Sequence, residues 1–426
     1  MHMYHIGIDW GTQSSKVYTY DDENKSGNLG VMCDSTLFYD KRNDIVGFSD
    51  EFLQNIGGGS PDIASNLFSI KRQMIMNPTI SFWCGESDDI NLTLGASITL
   101  SLLALLRKAI SDIELSNREN ISEVCFSFPN WSPGLDIKHD IALKKFKQAA
   151  YLAVTIALNE KYDGLIPHKG IRNKEFQNVI NKLLPVPDFP KFDIDKITQL
   201  NDKFNDKLSI SYLPESLAAG LPYLLHLQYG SNHAFRLLVI DVGAGSTDIG
   251  YLTQWRLTKN DAFHMVYFKP APAINYAGES ITKAVARQFN LNSQDAEVKK
   301  ISLSSLGTLS IEVPYVKDEW IRIISERVRD YICSLPKHIL MDRPEPVRII
   351  ITGGSGAVPG LQEALKSKVE IGLAINENRP NNCPPRSLTA ENISIQLDPN
   401  KDTFETGRRS VSIGAGQPSK SKLMFV

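Results

Sequence analysis

A chain of 426 residues with 42% hydrophobic and 22% charged content has ordinary globular composition and room for two or three domains. Its formal net charge of −2 gives no broad basic field, so no nucleic acid is expected as a main partner. The cysteines (Cys33, Cys84, Cys125, Cys333, Cys383) never form a CxxC pair, which points to a reducing, cytoplasmic compartment and away from a zinc site.

The opening MHMYHIGIDWG lacks the basic and long apolar regions of a signal peptide. An apolar strand over 4–8 closes at Asp9, the turn Trp10-Gly11-Thr12-Gln13-Ser14-Ser15-Lys16 follows, and 17–20 reads as the returning strand of a hairpin. Gly57-Gly58-Gly59-Ser60-Pro61 has the composition of a phosphate loop but no buried strand before it, and reads as a surface loop. Lys71-Arg72 is expected to be a solvated or interlobe basic pair. Leucines and isoleucines recur at helical spacing over 93–110; the most apolar part, 98–106, is too short to span a bilayer and runs into Arg107 and Lys108. A strand over 123–128 stops at Pro129, and a second helix covers 135–158. Prolines at 167, 185, 187 and 190 then break up a stretch that reads as an inserted subdomain over about 158–208. A strand over 208–213 leads through Pro214 into a helix to about 229, with Pro in its first turn.

The device of the N-terminus then recurs. An apolar β-branched run over 237–240 ends in Asp241, followed by Val242-Gly243-Ala244-Gly245-Ser246-Thr247-Asp248. Glycines let backbone approach an anion, consecutive N–H groups can cradle a phosphate, and Asp241 and Asp248 could face a hydrated divalent cation. Alone, such a hairpin is as consistent with a plain β-turn. Asp9 and Asp241 in matched contexts instead suggest two related halves. Further on, Ala277-Gly278-Glu279 opens a helix to 289, and Ile321, Ile324, Val328 and Ile332 mark another. A buried strand over 347–352 feeds Gly353-Gly354-Ser355-Gly356 and a helix over 359–368, an arrangement suited to an anion. Residues 376–385 read as loop. The tail from Pro418 has the composition of a frayed end or a docking peptide.

Together these segments resemble the actin–heat-shock-70–sugar-kinase superfamily of ATPases. IGIDWGTQSSK is similar to its first phosphate motif, LPESLAAG to the connecting motif and VIDVGAGSTDIG to the second phosphate motif. IIITGGSGAVPGLQ is similar to the adenosine motif and SVSIGAG to the closing helix. The order and wide spacing fit the family and cover almost the whole chain. Within it, FSFPNW and SNLFSIKRQMI resemble the ATPase domain of DnaK-type chaperones, while Gly220-Leu221-Pro222 is shared with MreB/FtsA-type actin homologues. The resemblance implies an α/β, two-lobed actin-like ATPase fold, made of two duplicated ribonuclease-H-like domains with a nucleotide cleft between them. The first lobe would span 1–212 and the second 213–426, with the closing helix at about 405–417 packing back on the first lobe and a flexible tail over 418–426.

The resemblance also implies roles. Asp9 and Asp241 would hold a magnesium water shell, with Gly11, Thr12, Gln13 and the Gly243, Ala244, Gly245 and Ser246 backbone on the phosphates of ATP or ADP. Glu215 would bind the metal shell or orient the attacking water; a helix N-terminal acid is its other reading. Asp248 would position that water or the phosphate. Gly278, Gly353, Gly354 and Ser355 would contact the nucleoside, with Glu297 and Lys300 against the ribose. Departures are visible as well. Residues 48–54 (FSDEFLQ) lack the catalytic lysine of DnaK-type proteins; Lys16 either supplies that charge or is a surface lysine. Ala357 stands where an arginine stacks on adenine, removing a cation–π contact. The region between Gly278 and Gly353 is short, so the outer part of the second lobe is expected to be reduced. With no β-rich substrate domain after the closing helix, peptide clamping in cis is not expected. The functional expectation is a slowly hydrolysing Mg-ATP switch that signals lobe closure to a protein partner. A self-associating filament or scaffold of the MreB/FtsA type, a nucleotide-binding pseudoenzyme, and a sugar-kinase-type phosphotransferase are the alternatives.

Overall fold

The computed structural model describes residues 3–12, 14–40, 43–48, 52, 63–64, 70–71, 92–113, 115–130, 137–184, 202–203, 208–227, 235–255, 264–274, 276–305, 308–336, 347–356, 358–376, 389–392, 411–416 and 423–425. Gln13, the Gly57–Gly59 run, Ala357 and the loop beyond 376 lie outside them. The protein is a mixed α/β structure that divides into two compact units, Met1–Pro214 with Ser412–Pro418, and Glu215–Val411 with Ser419–Val426.

In the first unit, strands β1 (Tyr4–Asp9), β2 (Ser14–Asp21) and β3 (Ser26–Asp34) form an antiparallel meander. Strands β7 (Ile121–Phe128) and β10 (Ser209–Pro214) then add in parallel on the other side of β1, giving the order β3-β2-β1-β7-β10 with the short β9 (Asp202–Lys203) at the edge. Parallel neighbours need long crossovers, and here helices α1 (Leu94–Asp112) and α2 (Ile137–Leu158) lie between them in sequence. Thr93 caps α1 by accepting from the Ala96 amide at 3.2 Å. By length and hydropathy α1 could cross a membrane, but 83% of its most apolar window is buried in the protein's own core. Arg107 lies at the end of that buried run, donating to the carbonyls of Ile156, Ala157 and Tyr162, where α2 ends. Burial pulls its guanidinium below the usual arginine value.

The stretch read as an inserted subdomain of the first lobe lies in this unit, and its strand Ile171–Arg172 pairs with the strand Ile45–Phe48. Strands β4 (Leu37–Asp40), β5 (Ile45–Phe48), β6 (Ile63–Ala64) and β8 (Ile171–Arg172) form one small sheet in the order β6-β4-β5-β8. The Phe48 amide donates to the Pro167 carbonyl, and the Asn173 amide, at the start of α3 (Asn173–Leu183), donates to the Asp44 carbonyl. Phe52 is fully buried where a Cβ on either Gly47 or Gly170 would collide with its ring. Residues 171–172 thus share one small sheet with the described strands at 37–40, 45–48 and 63–64.

The second unit repeats the sheet plan. Strands β11 (Phe235–Val242), β12 (Thr247–Trp255) and β13 (His264–Pro270) form an antiparallel meander, and β14 (Val347–Thr352) and β15 (Thr389–Asn392) add in parallel beyond β11. The order β15-β14-β11-β12-β13 matches β10-β7-β1-β2-β3 position by position. Helix α4 (Glu215–Leu227) packs on β11 and β12, where Gly220 leaves room for Val239 and Leu252. Helices α5 (Gly278–Phe289), α6 (Ser293–Ser305), α7 (Leu309–Glu312), α8 (Pro314–Ser334) and α9 (Leu361–Asn376) supply the other layer. The core of this unit joins Leu238, Ile240 and Ile349 from the sheet to Trp320, Ile324 and Val328 from α8 and Leu365 from α9.

The two ends of the C-terminal region behave differently. The short helix over 411–416 runs against β1: a Cβ on Gly7 would fall 2.3 Å from the Gly416 nitrogen and from the Ser412 carbonyl oxygen. The tail beyond 418 was expected to fray. Its segment Leu423–Phe425 instead forms β16, parallel to β13, where the sheet edge offers unpaired backbone groups.

Candidate functional site

In each unit an acidic hairpin turn follows the central strand of the large sheet, and the two share one pattern. In the first, Asp9 ends β1, where parallel β7 on one side and antiparallel β2 on the other hold it in place; it is 4% exposed. Lys16, its register partner across the hairpin, donates to Asp9 Oδ2 at 3.0 Å, and Ser127 at the end of β7 donates to Oδ1 at 3.4 Å. Lys16 is therefore a mostly buried partner of Asp9 and not a solvated surface lysine. A hydrated cation on Asp9 would share that carboxylate with the ammonium group. Between the two, Gly11 packs so tightly that a Cβ would sit 2.1 Å from the Ser14 carbonyl oxygen. Among the described residues the amides of Gly11 and Thr12 donate to no protein group.

Trp10 fixes this turn from behind. Its ring is 2% exposed and stacks on Phe146 of α2, with centroids 5.7 Å apart and planes 15° apart. Its carbonyl accepts from the Lys71 ammonium at 3.0 Å. Lys71 is 5% exposed, so it is not the solvated residue that was one of the two expectations from the sequence. It is a cation folded against the phosphate-type turn from 61 residues away. The only sequence signal that could have raised it is a lysine beside an apolar run, Leu67-Phe68-Ser69-Ile70, that would have to pack inward.

In the second unit Asp241 is the penultimate residue of β11 and faces Asp248 directly across the hairpin; both are buried. Ser246 donates to Asp248 Oδ2 at 2.8 Å. The Gly243 amide accepts its place in the turn by donating to the Ser246 carbonyl at 3.0 Å, while the amides of Ala244 and Gly245 donate to no described group. The next layer locks onto this turn: the Gly278 and Glu279 amides, at the start of α5, donate to the Gly243 and Ala244 carbonyls at 3.1 and 2.7 Å. Trp320 holds the preceding residue by donating from Nε1 to the Ala277 carbonyl.

The Gly353-Gly354-Ser355 turn closes on the same place. The Ser355 amide donates to the Val242 carbonyl at 3.0 Å. Gly353 has φ of +84°, and a Cβ there would lie 2.4 Å from the Val242 carbonyl oxygen and 2.7 Å from Asp241 Oδ1. A Cβ on Gly278 would fall 1.9 Å from Ser355 Oγ. Gly354 is exposed. The glycines thus admit a backbone approach that no other residue permits.

Glu297 and Lys300 sit on α6 and engage each other. Lys300 donates to Glu297 at 2.7 Å and to the Thr282 hydroxyl at 3.0 Å, and Thr282 donates to Glu297 Oε2 at 2.5 Å. That cluster fastens α6 to α5; any ligand contact by these two side chains comes in addition to this structural work. Glu215 begins α4 directly after β10 and is 5% exposed, a buried carboxylate in a helix first turn.

The donor chemistry fits magnesium with a phosphorylated ligand. Among the described residues no group of three or more His, Cys, Asp or Glu side chains gathers for direct ligation. One or two carboxylates beside amides that donate to no described group would suit a cation that keeps several waters and takes its remaining ligands from phosphate. Neither protein-family models nor curated proteins provide a match to this chain.

Proposed function

We propose that the protein is an ATP-binding, slowly hydrolysing nucleotide switch with a two-lobed actin-like fold of duplicated ribonuclease-H-like domains, most like the ATPase domain of DnaK-type chaperones. The observation that carries this is the repetition itself. Two sheets that share the order of five strands each carry a buried aspartate at or one residue before the end of the central strand, Asp9 or Asp241, next to a turn with amides that donate to no described group. An ordinary β-turn needs neither the repetition nor the buried acid.

On this reading the amides of Gly11, Thr12, Ala244 and Gly245 donate to phosphate oxygens, and Asp9 and Asp241 hold the water shell of magnesium. Magnesium supplies neutralisation of phosphate charge when bound with the nucleotide. Lys71 and Lys16 would offset the negative charge on the phosphoryl and leaving oxygens during transfer. Glu215 and Asp248 orient the attacking water, most catalysis being placement and charge neutralisation. Gly278, Gly353 and Ser355 leave backbone room for the nucleoside. Lobe closure is the output relayed to a protein partner, in the cytoplasm. The buried position of Lys71 favours retained hydrolysis over a pseudoenzyme.

Phosphate release from purified protein with Mg-ATP, set against the Asp241→Asn variant, tests this. The proposal expects slow release that the substitution abolishes. Release no greater than that of the variant would turn the reading toward a nucleotide-binding protein without turnover.

A further inference from the structure

A second feature lies in the first unit, away from the strand-end turn. An open groove of about 640 Å³ runs between α3, the Lys161-Tyr162 turn and the β4–β5 hairpin. Four cations border it, Lys161, Arg172, Lys174 and Lys182, and all four are exposed. None of them makes an ion pair with any described residue; Lys161 Nζ lies 5.9 Å from the Tyr162 ring centre. On a chain of net charge −2, four cations that pair with no described residue, against two acids around the same depression, leave a local positive excess.

The two acids of the groove do not cancel it. Asp44 is engaged locally, its Oδ1 accepting from the Tyr39 hydroxyl at 3.0 Å and its Oδ2 from the Lys174 amide at 3.4 Å. Glu175 occupies the first turn of α3, where it complements the helix dipole. The floor is apolar: Tyr162 and Val179 are partly buried against the core. Lys174, Asn178 and Lys182 recur every four residues on one face of α3, so the cationic rail is about 12 Å long. That length matches about four residues of extended chain. A single phosphate group would use only one end of it.

We infer that this groove binds a short acidic segment of a partner protein in extended form, its carboxylates on the cationic rail and one apolar side chain on the Tyr162–Val179 floor. The inference stands on the groove alone, whether or not the two turns hold nucleotide. It gives the partner a chemistry: negatively charged, unfolded locally, with an aliphatic anchor. Affinity should be electrostatic in origin and weaken with salt.

The test is fluorescence anisotropy of the labelled heptapeptide DEELEDE with the full chain, nucleotide-free and in low salt. Binding is expected for this peptide and not for KKKLKKK. Lys174→Glu with Lys182→Glu should weaken it at least tenfold, and the milder Lys161→Gln with Arg172→Gln by several-fold. Lys366→Glu with Lys368→Glu, on α9 of the other unit, should leave it unchanged. Equal binding by the α3 double variant, or equal loss in the α9 control, overturns the proposal. Displacement of the peptide by stoichiometric pyrophosphate would assign the groove to a small anion instead. A single-stranded dT12 oligonucleotide that binds more tightly and is lost with the same residues would assign it to nucleic acid. Either result also overturns the peptide reading. Phosphate release measured on the same variants separates this outcome from that of the nucleotide site, since none of these residues belongs to it.

Discussion

Replacing Gly278 by Ala places a methyl group 1.9 Å from Ser355 Oγ, 3.1 Å from Ser355 Cβ and 3.3 Å from the Gly243 carbonyl oxygen. The first overlap cannot stand, and Ser355 has little room to turn because its amide is held by Val242 and its side chain is 6% exposed. Overpacking of this kind costs about 2 kcal/mol, within a typical span of 1–3. Removing Oγ as well should relieve most of it, since the remaining contacts are tight but short of a collision. Because each unit has its own core, global unfolding need not be two-state, and hydrogen exchange resolved by peptide is the better assay. Amides of β11 in Gly278→Ala should exchange about thirtyfold faster, the equivalent of 2 kcal/mol. Ser355→Ala alone should change exchange less than about fivefold, which is roughly 1 kcal/mol. The double variant should return to within about fivefold of the parent, giving a coupling of about 1 kcal/mol or more between the two sites. Additive effects, with the double variant as unstable as Gly278→Ala or worse, would refute the close packing of α5 on the Gly353–Ser355 turn.

Three further outcomes follow from the same geometry. Lys71→Met should lower the rate of phosphate release about a hundredfold, the scale of losing one charge-stabilising donor, while Mg-ATP affinity changes less than about tenfold; unchanged release would remove Lys71 from the machinery. Arg118 foremost, then Arg107, hydrogen-bonds Asp163 and holds its carboxyl below the usual range, so the stabilisation is present above the unfolded carboxyl value of about 4 and is lost as pH falls through the lower folded value. The stability gap between the parent and Asp163→Asn in the first unit should be flat near neutrality and close in acid; with Asp163 half exposed it should stay under about 1 kcal/mol, and a gap that persists unchanged below about pH 3 contradicts this. Sedimentation with and without ATP should show a nucleotide-independent monomer, and ATP-dependent pelleting would favour the filament reading instead.

Features set by local pattern were legible in the sequence. The strand read over 347–352, mostly β-branched, matches β14 residue for residue, and the two strand–aspartate–turn motifs were visible because each is complete within a dozen residues. Features set by distant pairing were not. Strand β8 is only Ile171–Arg172, too short for any alternation to show, and its partner β5 lies over 120 residues earlier, so this pairing did not show in the sequence. The edge strand at Leu423–Phe425 has the same origin: pairing with β13 is a property of the sheet edge, invisible in the composition of a lysine- and serine-rich tail. Lys71 shows the limit for function. A lysine next to an arginine reads as surface, and only the folded path of the chain brings its ammonium to the Trp10 carbonyl. Lys16 was ambiguous for the converse reason, since its hairpin register with Asp9 decides whether it points at a carboxylate or at solvent.

The central claim is that the turns at Asp9 and Asp241 act on one nucleotide. Calorimetric titration of the full chain with ATP in excess magnesium, repeated with Asp9→Asn and with Asp241→Asn, addresses it most directly. The account predicts one nucleotide per chain, with each substitution alone weakening binding at least tenfold and the pair weakening it by less than the sum of the two. Two independent sites, or affinity indifferent to one of the aspartates, would contradict it.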